Sequence, residues 1–400
     1  MKLGILREEK IPADSRVPLT PGQCRDILQR APFEICVQPY PSRCYSDDEY
    51  RACGLGLCED LHRCDVILGV KEVPPALLIP HKTYLFFSHT IKEQPHNRKL
   101  LQTILEKHIR LIDYEVLTDE EGERLIAFGK FAGMVGAHNA LYTYGQRSGA
   151  FQLPRMKDCR DYEEAKAGYR NIAWPALKIA LTGTGRVGNG AAQVLRDMGI
   201  REVDAREFLE NEYPEAVFVQ LHAHDYVARK DQHPFERRHY HAHPEAYQST
   251  FAPFAQQADI FINGIYWDNR APAFFTLEEM RRPDFRISVI ADITCDIAPE
   301  ASVPSTIRPS NIEKPVYGFD PQTGKETAPY QPHSIDVMAI DNLPNEMPRD
   351  ASAAFGTMFI GKVLPEFFKS HSLVLERATI AEGGQLGKYF QYLQHYVQGE

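Results

Sequence analysis

Leu177-Lys178-Ile179-Ala180-Leu181-Thr182-Gly183-Thr184-Gly185-Arg186-Val187-Gly188-Asn189-Gly190 is the stretch that decides the fold. Its first six residues read as a buried strand, and a helical pattern runs from Ala191 to Met198 behind the glycines. A glycine pattern alone is weak, but a strand before it and a helix after it supply the context that gives it meaning. Gly183 permits the tight turn out of the strand. Gly185 lets a phosphate come close to backbone, and Gly188 lets the helix pack against the strand. The helix N-terminus adds unpaired N–H groups and partial positive charge. The spacing therefore predicts a dinucleotide cradle on Gly183, Gly185, Arg186, Val187 and Gly188.

About twenty residues on, Asp204 is placed to bond a ribose 2′-hydroxyl, whereas Arg206 would meet a 2′-phosphate. NAD and NADP both stay open. Apolar strands follow at 260–262 and 287–290, and between them and the glycine turn the segment 213–249 is polar, basic and rich in histidine. It reads as an insertion. His222, His224, His233, His239, His241 and His243 invite a metal, yet no cysteine or HExxH partner accompanies them, and a solvated loop is the better account.

Upstream, short apolar runs at 2–6, 33–37, 65–70, 83–87 and 110–114 alternate with helical stretches, of which 94–107 is amphipathic. A connecting helix fits 131–144, and helical patterns return at 351–368 and 385–397. The expected fold is α/β: two Rossmann-like domains with parallel sheets separated by an active-site cleft, the first domain discontinuous. The expected division is 1–134 with 341–400 for the first domain, and 135–340 for the second.

The 400 residues carry a formal charge of −9 with 43% hydrophobic and 25% charged residues, an ordinary globular composition. That balance argues against nucleic acid or an anionic membrane as a main partner and points to small molecules. Charge appears by Arg7-Glu8-Glu9-Lys10, and no apolar run approaches the roughly 18 residues of a membrane span, so the expectation is a cytoplasmic protein. Six of the eight cysteines fall between Cys24 and Cys64 without paired zinc-type spacing, and all read as reduced thiols.

Lys71 follows directly on the buried run 65–70, and His89 ends the next one. The C-terminal ends of parallel strands are where open α/β sheets bind ligands. A lysine desolvated there loses basicity, and a histidine exchanges protons near neutral pH. Either residue alone is more often a surface lysine or a core histidine; two successive strands ending in this pair shift the balance toward chemistry. Arg16 and Arg124 are candidate carboxylate clamps, since a guanidinium fork binds a carboxylate at two points.

At these residues the chain resembles the family of alanine dehydrogenase, the transhydrogenase α-type N-terminal domain and the lysine-forming saccharopine dehydrogenases. Within it, the likeness is greatest to the lysine–ketoglutarate reductase portion of aminoadipic semialdehyde synthase. The most specific runs are 67–74, 82–92, 110–115, 262–267 and 334–344. The resemblance implies Lys71 and His89 as a catalytic pair, with Glu115 close to the lysine. It implies substrate contacts at Arg16, Lys92, Gln94, Glu115, Arg124 and Phe128, and at Thr294, Cys295 and Asp296 near the reacting carbon. Cofactor contacts would fall at Gly185, Arg186, Asp204, Tyr266, Ile293, Ile340, Asp341, Asn342 and Leu343. Fungal members carry two adjacent arginines where this chain has Glu123-Arg124, which places one cofactor contact in question.

The implied activity is a nicotinamide-dependent interconversion of lysine plus 2-oxoglutarate with saccharopine, through an imine reduced by hydride. Two rivals stand beside it. An alanine dehydrogenase shares Arg16, Lys71, His89 and the glycine turn, but its substrate has one carboxylate, and Lys92 with Arg124 favour a larger diacid. A non-catalytic NAD(P)-binding sensor would have no use for a proton-transfer pair.

Overall fold

In a computed structural model that describes residues 1–30 and 32–399, the chain forms two compact units: Met1–Phe128 with Pro348–Glu400, and Gly129–Met347. Among the described residues the strands are, in chain order, β1 (Lys2–Ile5), β2 (Glu34–Val37), β3 (Val66–Leu68), β4 (Thr83–Phe86), β5 (Arg110–Asp113), β6 (Lys178–Thr182), β7 (Arg201–Glu202), β8 (Val217–Leu221), β9 (Val227–Arg229) and β10 (Tyr247–Ser249). There follow β11 (Ile260–Asn263), β12 (Val289–Asp292), β13 (Val316–Asp320), β14 (Lys325–Thr327), β15 (Ile335–Met338), β16 (Thr379–Glu382) and β17 (Gln385–Leu386).

The sheet of the first unit has the order β17-β16-β5-β4-β3-β1-β2. β1 to β5 are parallel, and the antiparallel pair β16 and β17 closes one edge. The side-chain alternation of these strands feeds two cores. Leu68, Leu85 and Ile112 pack on one face, and Ile67, Tyr84, Phe86 and Leu111 on the other. Burial of each such side chain stabilises the fold by roughly 1.5–3 kcal/mol. A parallel sheet covered on both faces has nowhere to bind a ligand except along its strand ends. Because β1 sits between β2 and β3, chain direction across the sheet reverses there, and the crevice outside the carboxyl ends of β1 and β3 is the natural site.

The second unit has the order β14-β13-β15-β12-β11-β6-β8-β7, parallel from β7 to β15, with β13 and β14 antiparallel. One feature departs from the expectation for 213–249. Val217-Phe218-Val219-Gln220-Leu221 is not part of a loop but a buried strand beside β6. Its five residues are short against the polar, histidine-rich sequence around them, which hid their apolar character. The rest of that segment forms the two-stranded β9–β10 sheet and short helices.

Two helical expectations also change. The stretch 351–368 begins as the α-helix Pro348–Met358 and continues as a π turn and a 3-10 turn. The stretch 385–397 opens as β17 and becomes helical only from the 3-10 turn Gln391–Leu393 into the helix Gln394–Gln398.

Candidate functional site

Four strand ends of the first unit carry its charged residues. Glu8 follows β1, Lys71 and Glu72 follow β3, His89 follows β4, and Asp113 and Glu115 lie at the end of β5. Glu8 is buried, and its two carboxylate oxygens accept the backbone N–H groups of Val70 (2.6 Å) and Lys71 (2.9 Å). The strand-end backbone that carries Lys71 is thereby fixed. Burial pushes the Lys71 ammonium below its ordinary pKa, and the positive charge of Arg16 pushes it further in the same direction.

His89, just beyond β4, has a left-handed backbone (φ 52°). Its Nδ1 is hydrogen-bonded to Glu72 Oε1. Glu72 also accepts from Lys10 Nζ at 2.8 Å. Burial would raise the Glu72 carboxyl, but the bond with His89 and its charge, with help from Lys10, outweigh burial and hold it at about 2. An anionic Glu72 accepts from the Nδ1–H of His89 and so orients the ring, with Nε2 as its other nitrogen for proton exchange.

Arg16 differs from the clamp expectation. It is 2% exposed, and its Nε and one terminal nitrogen donate to Asp14 at 2.9 and 2.6 Å. Its guanidinium lies 4.3 Å from the centre of the Phe128 ring. The fork is turned onto Asp14, and the role the geometry gives it is to set the charge around Lys71. The carboxylates acting on Lys71 are those of Glu72 and Asp14, whereas Glu115 Oε1 pairs with Arg124 at 2.9 Å and lies 3.7 Å from Lys92 Nζ. Arg124 additionally donates to the Glu115 carbonyl at 2.8 Å. Lys92 and Gln94 are exposed beside this cluster. Phe128 stacks on Phe355 and approaches Phe87, forming an apolar wall with Tyr114.

Sequence reasoning missed Glu8, Asp14, Glu72 and Asp113. Asp113 is fully buried, accepts the Ser88 and Glu115 backbone N–H groups at 2.9 and 2.7 Å, and is pushed up by burial. It locks the His89 turn to β5. A usable signal existed for Glu8 and Glu72, each two residues beyond a buried run; Asp113 ends its own buried strand, and Asp14 follows the largely exposed stretch 9–13.

In the second unit the glycine turn links β6 to the helix Arg186–Asp197. Gly183 has φ 96°, a conformation that favours glycine. A Cβ on Gly188 would stand 1.9 Å from the Gly183 carbonyl oxygen, so only glycine fits. At Gly185 a Cβ would meet no protein atom within 4 Å. Glycine there leaves room at the helix N-terminus, the shape a pyrophosphate needs. The residues present fit a dinucleotide.

The other expected second-unit contacts follow the ends of neighbouring parallel strands. Tyr266 comes after β11 and is 95% exposed. Ile293, Thr294, Cys295 and Asp296 come after β12, and Ile340, Asp341, Asn342 and Leu343 after β15. Thr294 Oγ1 donates to the Ile265 carbonyl at 2.9 Å, Cys295 is pushed up to about 12 by burial, and burial also raises Asp296.

Asp204 and Arg206 are not among them. Asp204 follows the edge strand β7, which β8 separates from β6. Its side chain accepts the Glu207 N–H at 2.7 Å as a helix cap, and Arg206 pairs with Glu210 at 2.9 Å. Among the described residues, no group of three or more His, Cys, Asp or Glu side chains is placed to hold a metal ion, and no helix is long and apolar enough to cross a membrane.

Residues 4–135 match the family model described as alanine dehydrogenase/PNT, N-terminal domain. The chain is 29% identical to the alpha-aminoadipic semialdehyde synthase of Arabidopsis thaliana over 98% of its own length and 41% of that protein, so it spans less than half of this relative. It is 28% identical to the saccharopine dehydrogenase [NAD(+), L-lysine-forming] of Emericella nidulans, with 90% of each chain covered. A solved L-alanine dehydrogenase shares the fold with a TM-score of 0.67 at 14% identity, covering 100% of this chain and 99% of that one.

Proposed function

We propose, from the match of residues 4–135 to the alanine dehydrogenase/PNT N-terminal domain model and the similarity over nine-tenths of the chain to a lysine-forming saccharopine dehydrogenase, that this chain is an NAD(P)-dependent oxidoreductase joining L-lysine and 2-oxoglutarate into saccharopine, or running the reverse. The observation that carries the reading is the strand-end set Lys71, Glu72 and His89, with the cations Lys92 and Arg124 close by on Glu115.

Imine formation needs proton transfers at nitrogen and at oxygen. Lys71, with its basicity lowered by burial, takes a proton from the lysine ε-ammonium and frees the amine to attack the keto carbon. A proton passes from the attacking nitrogen to the keto oxygen to give the carbinolamine, and His89, oriented by Glu72, donates through Nε2 to its hydroxyl, which leaves as water and yields the protonated imine. Lys92 and Arg124 hold substrate carboxylates by exchange with Glu115. Glu8 keeps Lys71 at the strand end throughout. The nicotinamide, when bound on the glycine turn, supplies the hydride that reduces the imine.

The test is a coupled assay of lysine with 2-oxoglutarate, run separately with NADH and NADPH. Saccharopine formation in either supports the reading. Oxidation of alanine with saccharopine left untouched would replace it by an alanine dehydrogenase activity. Tight dinucleotide binding without turnover of any of these substrates would replace it by a sensor.

A further inference from the structure

We propose that the outer edge of the first unit's sheet is a thiol modification site, at which Cys36 and Cys58 are joined in a reversible disulfide by reaction with a small disulfide molecule. The inference goes beyond the proposed reaction and does not depend on it.

Six cysteines crowd into the first 64 residues without metal-type spacing, and the fold gathers three of them. β2 is the edge strand of its sheet, and Cys36 on it pairs in register with Gly4 of β1. Residues paired this way present their side chains on the same face. Gly4 has no side chain, and a Cβ there would stand 3.1 Å from Cys64 Sγ. The buried Cys64 thiol therefore occupies the space over Gly4, on the face from which Cys36 projects.

Cys58 reaches Cys36 from the free side of β2. Leu57 bridges to Val37 in parallel, and the Cys58 N–H donates to the Val37 carbonyl at 2.9 Å. With its backbone fixed there, the Cys58 thiol donates to Cys36 Sγ at 2.7 Å. Cys36 and Cys58 are both partly exposed, whereas Cys64 is fully buried. A small oxidant meets the first two and not the third.

Burial raises both outer thiols. At Cys36 the hydrogen bond received from Cys58 and the charge of Lys2 work against it, whereas Cys58, the donor, is pushed up to about 11. Cys36 is the readier thiolate and attacks first. Its sulfur bonds to one sulfur of the small disulfide, whose S–S bond breaks, and one small thiol leaves with the proton that Cys36 gave up. Cys58 then loses its proton and attacks Cys36 Sγ, expelling the second small thiol, which takes that proton. Two cysteine thiols are oxidised to one disulfide, and two electrons and two protons reduce the small disulfide to two thiols. Excess small thiol runs the steps backward, so the bond follows the thiol–disulfide balance around the protein.

The bond fastens a loop on which the strand-end site leans. Glu59, next to Cys58, pairs with Arg7, and its carbonyl accepts from Gln38 Nε2 at 2.9 Å. Gln38 Oε1 accepts the Arg7 N–H at 3.1 Å. Arg7 precedes Glu8, whose carboxylate holds the Lys71 backbone.

The experiment incubates the full chain with glutathione disulfide, blocks the remaining thiols with iodoacetamide, and reads intact mass, mapped peptides and thermal unfolding. The expected result is loss of two hydrogens, a Cys36–Cys58 peptide link and a melting temperature higher by roughly 5–10 °C, because the bond restrains the unfolded chain. Dithiothreitol should return all three to their starting values. Cys58→Ser should stop with one glutathione held on Cys36 and no rise in melting temperature. An unchanged mass would overturn the proposal. So would a link from Cys36 to Cys64, glutathione on Cys58 as readily as on Cys36, or the same rise in Cys58→Ser. No amino-acid substrate or dinucleotide enters these readouts, so this site and the proposed reaction stand or fall separately.

Discussion

Two alanines, three residues apart in one turn, should fail for different reasons. At Gly188 the added Cβ would lie 1.9 Å from the Gly183 carbonyl oxygen, where real Cβ atoms essentially never come under 3.0 Å. Backbone must yield by about 1 Å, and neither side is soft: Gly188 is in the first turn of a helix, and the Gly183 carbonyl is held by Gln220. Overpacking of this kind costs about 2 kcal/mol, or roughly 4–8 °C in melting temperature for a unit of this size. The same shift displaces the N–H groups that meet phosphate, so dinucleotide affinity should fall at least tenfold. At Gly185 the added Cβ meets no protein atom, so Gly185→Ala should melt within about 2 °C of the unaltered chain. Its methyl fills the space left for the pyrophosphate, so dinucleotide affinity should fall just as far. Thermal unfolding monitored by circular dichroism, paired with titration of ADP-ribose, separates the two. If Gly185→Ala bound ADP-ribose normally, or Gly188→Ala kept full stability, the assignment of the turn would be wrong.

Further outcomes follow from the charged cluster and one buried histidine. Lys71→Met should abolish saccharopine formation with NAD(P)H affinity intact; full activity in that variant would remove the lysine from the mechanism. Glu72→Gln takes from His89 and Lys10 their anionic acceptor, and kcat should fall about tenfold or more with cofactor affinity unchanged. Arg124→Ala should raise KM for 2-oxoglutarate more than it lowers kcat, as expected when a carboxylate contact shared by ground and transition states is lost. His138 is buried between the Tyr169 hydroxyl (2.8 Å) and the Pro154 carbonyl (2.7 Å), and burial lowers it to about 4 from 6.5. As pH falls from 6.5 toward 4 the unfolded chain takes up a proton that the folded chain refuses, so stability drops by about 3 kcal/mol. Urea unfolding at pH 7 and pH 4.5 should show this loss, and His138→Gln should flatten it.

Sequence by itself determined what depends on neighbours along the chain. The strand–turn–helix around Gly183, Gly185 and Gly188 is local: the left-handed turn at Gly183 and the close approach of Gly188 to the Gly183 carbonyl lie within one short stretch, so the cradle was legible from spacing. Lys71 and His89 were legible as strand-end residues because each ends a short apolar run that can only be buried. Tertiary structure decided everything that depends on which strand lies beside which. β8 was obscured because five apolar residues sit inside a polar, histidine-rich stretch, and its pairing with β6 spans about forty residues of chain. Hydrogen bonding across that distance follows from the packing of the whole sheet, not from any local pattern. Asp204 therefore sits at the expected count along the sequence but follows a strand that β8 separates from β6. The same holds for charge. Arg16 turned onto Asp14 and Glu115 onto Arg124 because a buried charge takes the partner the fold brings within reach. Spacing could name the ionisable groups; only the folded sheet could pair them.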